Sequence, residues 1–167
     1  MQPTRPPHDY IEIFLQPGEW YFGDRDTRLR TLLGSCVAIT MWHPTQLLGS
    51  MCHYLLPTRG NGRIRTLDGR YGDEALLWLI QEAVRHHTNP ADYVLKVFGG
   101  GQMFVQPTSA SAGDVGTRNV ARATQLLRDF GFRIAAQHVR DVGHRNVIFD
   151  VWSGDVWVKH VRPTAQP

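Results

Sequence analysis

Residues 33–57 read LGSCVAITMWHPTQLLGSMCHYLLP, two apolar runs joined by the turn-forming His43-Pro44-Thr45-Gln46. The runs predict an antiparallel hairpin, with Cys36 on one strand and His53 on the other. A two-residue loop at Pro44-Thr45, or a four-residue loop over 43–46, sets these two residues opposite each other. Opposed residues share a face with Cβ atoms roughly 4.5 to 5.5 Å apart, so an imidazole there reaches a thiol. An unassisted thiol, with a reference pKa of about 8.5, is mostly protonated at neutral pH. A neighbouring imidazole takes the proton, holds the thiolate as an ion pair and later returns a proton to a leaving amine. That chemistry points to an acyl carbon: an amide, ester or thioester. The same residues also suit a plain core strand, since unpaired cysteine is among the most buried residue types.

Of the two cysteines, Cys36 has the setting of a nucleophile. Gly34 and Ser35 before it favour a tight bend that exposes the thiol and brings backbone N–H groups close enough to hold an oxyanion. Cys52 alternates with His53 and so points to the opposite face, into the core.

Around this hairpin, β-patterns occur at 11–15, 37–41, 49–55, 94–98, 134–138, 147–152 and 156–161. The last two form a second hairpin, with Ser153-Gly154 at its turn. Helical spacing of Ala75, Leu76, Leu79, Ile80, Ala83 and Val84 predicts a helix over 73–87. A second runs from an N-cap at Thr117 through Val120, Ala123, Leu127 and Phe130 to a stop at Gly131. Many strands with two amphipathic helices give an α+β fold, a layered α/β sandwich with mixed or antiparallel sheets.

The 167 residues, 42% of them hydrophobic, fit one domain over 11–161 between a proline-rich N-terminal arm (1–10) and a short C-terminal tail (162–167). No apolar run approaches 20 residues and no charged-then-apolar leader opens the chain, so the expectation is a cytoplasmic protein without membrane insertion. In a reducing compartment Cys36 and Cys52 stay free thiols, and without CxxC spacing they do not suit structural zinc.

Segment 58–71 carries Arg59, Arg63, Arg65 and Arg70 among glycines and reads as an exposed basic loop. Gly99-Gly100-Gly101 follows a strand, as phosphate loops do, but continues Gln102-Met103-Phe104 without a Lys-Ser/Thr. Gly113-Asp114-Val115-Gly116 lacks the dinucleotide pattern. These glycines suit close backbone approach or anion contacts beside a site, with Gly34, Ser35, Gly100 and Gly101 as candidates for substrate binding or oxyanion support. His86-His87 ends a helix, no HExxH metal motif occurs, and a net charge of +3 accompanies no nucleic-acid module.

Four segments in order, Leu33-Gly34-Ser35-Cys36-Val37-Ala38-Ile39, His53 through Pro57, Gly99-Gly100-Gly101-Gln102-Met103-Phe104 and Gly116-Thr117-Arg118-Asn119-Val120, resemble the CheD family of chemoreceptor glutamine deamidases. The resemblance implies a fold shared with toxin deamidases and a Cys-His pair assisted by a threonine: Cys36 as nucleophile, His53 as general base and Thr31 as the third residue. The family spacing would place that threonine one position earlier, on Arg30. It also implies conversion of glutamine to glutamate on cytoplasmic chemoreceptor helices through a thioester, with no metal or cofactor, and a related capacity for methyl-ester hydrolysis. Arg63 and Arg65 would steer docking to those helices. The phosphatase CheC is an implied partner, and a regulator that docks on CheC or on receptors with little or no turnover is the alternative. The chain departs from the family at 141–145, where members often carry a longer glycine-rich lead.

Overall fold

A computed structural model describes residues 6–63, 66–103 and 114–164. The elements run β1 (Ile11–Leu15), β2 (Trp20–Gly23), β3 (Thr27–Leu33), β4 (Val37–His43), β5 (Leu48–Tyr54), α1 (Gly72–Arg85), β6 (Val94–Gly99), α2 (Val115–Asp129), β7 (Ile134–Val139), β8 (His144–Asp150) and β9 (Val156–Val161). They stack in three layers: two helices, a five-stranded sheet ordered β2-β5-β4-β6-β7, and a four-stranded sheet ordered β1-β3-β8-β9. Both sheets are mixed, because β1–β3 and β6–β7 pair in parallel while the other pairs are antiparallel. The architecture is the α+β sandwich expected from the pattern.

The hairpin of residues 33–57 supplies the middle of the sandwich. β4 lies between β5 and β6 and is covered on both faces, which explains its nearly unbroken apolar composition. Val37, Ile39 and Met41 pack with Cys52 and Tyr54 against Ala75, Leu76 and Leu79 of α1 and Val120, Ala123 and Leu127 of α2. The opposite face sets Ala38, Met51 and Phe98 against Leu29, Leu33, Val147 and Phe149 of the four-stranded sheet. Each fully buried leucine contributes about 1.5–3 kcal/mol, so these two interfaces carry most of the stability.

Two strands escaped the sequence reading. β2 is short, and β3 (TRLRTLL) was obscured by its arginines. Its period-two signal is nevertheless present: Thr27, Leu29, Thr31 and Leu33 are buried, while Arg28 and Arg30 face outward. Both arginines are neutralised in place, Arg28 by a two-point contact with Asp150 (2.6 and 3.1 Å) and Arg30 by Glu12 (2.9 Å).

The hairpin register also differs from expectation. Its turn is the four residues 44–47, with Leu47 in a left-handed conformation, so His43 pairs with Leu48 and His53 pairs with Ala38, not Cys36. The shift of two positions preserves the face. Cys36, in the bend before β4, therefore lies diagonal to His53 on the same side of the sheet.

At α2 the N-cap is Asp114, whose carboxylate accepts from the Thr117 N–H (2.8 Å), and not Thr117 itself. Gly131, at φ 80°, follows the helix end, where only glycine adopts that turn without strain.

Candidate active site

Thr31 and His53 come from different sheets and meet between them. The Thr31 hydroxyl lies 2.8 Å from the Leu15 carbonyl and 2.7 Å from His53 Nδ1, and both side chains are buried. A carbonyl only accepts, so the single hydroxyl proton of Thr31 is committed to Leu15. Thr31 Oγ1 must then accept from Nδ1–H, which fixes the imidazole tautomer and leaves Nε2 with its lone pair. Nε2 is buried without a hydrogen-bond partner among the described residues. Backbone bonds hold the ring's strand in place: His53 N–H donates to Glu19 O (3.1 Å) and His53 O accepts from Gly18 N–H (2.8 Å).

Arg30, where the family spacing would put the threonine, points to the outer face toward Glu12. Strand alternation makes Thr31 the residue that can face the histidine.

Cys36 is partly exposed and packs at the end of the inter-sheet core, whereas Cys52 is fully buried on the helix side. Burial pushes the Cys36 thiol above its ordinary range and pushes Cys52 up to about 12. Burial also drives His53 down to about 4, opposed in part by the Leu15 carbonyl and the Glu19 carboxylate. Burial thus favours the neutral form of each group, opposite to the direction that the expected thiolate–imidazolium pair requires, because a low-dielectric site disfavours charge.

Of the two roles expected for the Gly99–Gly101 loop, close backbone approach is the one these contacts show. Gly100 N–H donates to Cys36 O (2.8 Å) and Gly101 N–H donates to Gly34 O (2.9 Å), so both amides are consumed in holding the bend around the cysteine. A Cβ at Gly99, where φ is 105°, would lie 2.3 Å from Cys36 O, and one at Gly100 would lie 2.2 Å from a Val120 methyl. Glycine is required there for backbone contact. Gly34 and Ser35 form the expected bend, and half-exposed Met103 rests on Gly34. Phe104 and Gly113 of the quoted motifs fall outside the described residues.

The basic loop is less free than its composition suggests. Arg59 makes a two-point contact with buried Glu74 (2.7 and 3.0 Å), and Arg70 pairs with Asp68 (2.7 Å). Arg63 is exposed, and Arg65 lies outside the described residues.

Asn119 went without a role in the sequence reading, although it stands in one of the quoted segments. Its side-chain nitrogen reaches Ser35 O (3.1 Å) and Leu55 O (2.8 Å), on either side of the site. Nothing in local spacing announces this contact, which spans more than 60 residues.

With this geometry the arrangement is a thiol and an oriented base on one sheet face, backed by a threonine from the other sheet. The family model described as CheD chemotactic sensory transduction matches residues 55–160. The chain belongs to the CheD family. It is 52% identical over 157 residues to a protein of Pseudomonas syringae pv. tomato named probable chemoreceptor glutamine deamidase CheD, covering 93% of each chain. A Dechloromonas aromatica protein named probable chemoreceptor glutamine deamidase CheD 3 is 46% identical over 152 residues, covering 91% of this chain and 89% of its own. A Leptospira interrogans CheD relative is 32% identical over 165 residues, covering 95% and 98%.

Proposed function

We propose that this CheD protein hydrolyses glutamine side chains of chemoreceptors to glutamate and ammonia, with Cys36 as nucleophile, His53 as base and Thr31 as the residue that orients the base. The observation that carries this reading is the Thr31–His53 contact, which presents an Nε2 with no partner among the described residues on the face that Cys36 shares.

The sequence of steps starts from the neutral forms that burial favours. A substrate carboxamide enters beside Cys36, and Nε2 takes the thiol proton as sulfur attacks the amide carbon. Attack thus generates the thiolate only when the carbon is in place. The imidazolium passes its proton to the departing nitrogen, which leaves as ammonia and produces a thioester. Nε2 then removes a proton from water, the hydroxide adds to the thioester carbon, and collapse returns the thiol and the new carboxylic acid. Throughout, Thr31 accepts from Nδ1–H and its own proton stays on Leu15 O, so the ring needs no reorientation between steps. The same steps hydrolyse a methyl ester, with methanol in place of ammonia.

A substrate on cytoplasmic receptor helices places the reaction in the cytoplasm. Consistent with this, no described helix is long and apolar enough to cross a membrane. Arg63 is exposed and available to meet acidic receptor helices.

The test is intact-mass analysis of a receptor cytoplasmic fragment incubated with the wild-type protein and with Cys36→Ala, followed by peptide mapping. A gain of about 1 Da per modified glutamine, absent with the variant, is the expected result of an amide-to-acid conversion through Cys36. No gain on several receptors, with the protein folded and the thiol reactive, would refute turnover and favour a regulator that docks on CheC or on receptors.

A further inference from the structure

Asn119 is fully buried on α2 and ties together the two chain segments that carry the proposed nucleophile and base. Both atoms facing its amide nitrogen are carbonyl oxygens, Ser35 O and Leu55 O, which can only accept, so the nitrogen and not the oxygen must face them. The oxygen, Oδ1, has no partner among the described residues. The side chain is therefore held by its two donated bonds. Tyr54 Oη donates to the Asn119 backbone carbonyl (2.5 Å), anchoring the same helical turn to β5.

The consequence for Cys36 comes from peptide geometry. Ser35 O and the Cys36 N–H belong to one trans peptide plane, in which C=O and N–H point in opposite directions. Because Ser35 O is drawn toward α2 in the helix layer, the Cys36 N–H points away from the helices. That is the direction of the inter-sheet face, where the thiol packs. No described group accepts a hydrogen bond from this N–H. Gly100 and Gly101 have committed their own amides to Cys36 O and Gly34 O, so they do not compete for the role.

We infer that Asn119 is a positioning residue that rotates the Ser35–Cys36 peptide so that the Cys36 N–H stabilises the oxyanion formed on attack at a carboxamide. The inference rests on the proposed deamidase chemistry at Cys36 and adds to it a residue that touches neither substrate nor base. Its signature is selectivity between two reactions of one thiol. Attack on an amide builds negative charge on oxygen, whereas alkylation by iodoacetamide builds none.

The experiment compares wild-type protein and Asn119→Ala in steady-state deamidation of a receptor fragment and in the rate of Cys36 alkylation, with thermal unfolding as the folding control. The expected result is a fall in kcat of about 100-fold, the usual loss on removing one oxyanion donor, with KM and the alkylation rate within about threefold of wild type. Should the alanine variant not fold, Asn119→Asp keeps the side-chain shape with at most one donor and is read in the same way. Unchanged kcat in a folded variant, or equal losses in deamidation and alkylation, would overturn the inference. An inactive wild-type protein would instead overturn the deamidase reading, so the two failures are distinguishable.

Discussion

The five-stranded sheet carries one cysteine on each of its faces, and the two faces have opposite characters. Toward the helices, Cys52 sits in a mainly apolar cluster with Val37, Ile39, Met41 and Tyr54, its thiol pushed up to about 12. Toward the other sheet, Cys36 sits at the partly exposed end of the layer, with Thr31 and His53 buried on the same inter-sheet side. The difference teaches that the exposure and polar company of a thiol here are set by the face and its edge, not by the residue type. Around Cys52 the helix face is closed by apolar side chains, with its buried polar contacts at Asn119 and the Tyr54 hydroxyl, while the sheet-on-sheet face is partly exposed at the bend 34–36 and holds Thr31 and His53 bonded across from two separate strands.

This contrast can be broken most severely at His53. His53→Ala is expected to lower receptor deamidation by about 10³-fold, the scale of a lost general base. Cys52→Ala is expected to leave kcat within about twofold on the same assay.

Acid should act on one face only. The folded-state pKa of His53, about 4, lies below the unfolded value near 6.5. The unfolded chain therefore takes up the proton first as pH falls. The stability is complete above about pH 6.5 and is lost progressively down to pH 4, by about 3 kcal/mol at 1.36 kcal/mol per unit. Urea denaturation at pH 7 and pH 4.5 should show this loss in wild type and a smaller one in His53→Gln. Equal losses in the two proteins would mean that His53 is not the group responsible.

A finer probe is Thr31→Val, which keeps shape and removes the acceptor for Nδ1–H. With the tautomer no longer held, kcat should fall by about 10- to 100-fold at little change in KM, the cost of one lost buried hydrogen bond. Thr31→Ser should recover most of it. A valine variant with full activity would detach Thr31 from the reaction.

The smallest effect belongs to the sealed face. Cys52→Ala should cost about 1 kcal/mol of stability through a small void. In the native protein iodoacetamide should modify Cys36 alone, with Cys52 reacting only in denaturant, as peptide mapping would show.

Much of this is legible in the sequence alone. The apolar runs at 37–41 and 49–55, the helical spacing of Leu76, Leu79 and Ala83, and Gly131 as a stop are local signals, and each corresponds to an observed element. β3 was missed because arginines interrupt its apolar character, and only their partners, Asp150 and Glu12, show why charge is tolerated there. For Gly100 the sequence left two roles open, close backbone approach and anion contact, for a related reason. A glycine-rich loop announces close approach, but whether its amides face a ligand or the Cys36 carbonyl depends on which chain arrives opposite.

By itself, the sequence determined both helices, seven of the nine strands, the layered class and the placing of Cys36 and His53 on one face, because propensity, periodicity and turn chemistry act over a few residues. Tertiary structure alone decided the register that makes Cys36 diagonal to His53. It also brought Thr31 across from the second sheet and Asn119 down from α2, and it opened one face while sealing the other. Those features depend on burial and on hydrogen bonds between distant segments, whose energies exist only once the layers have closed.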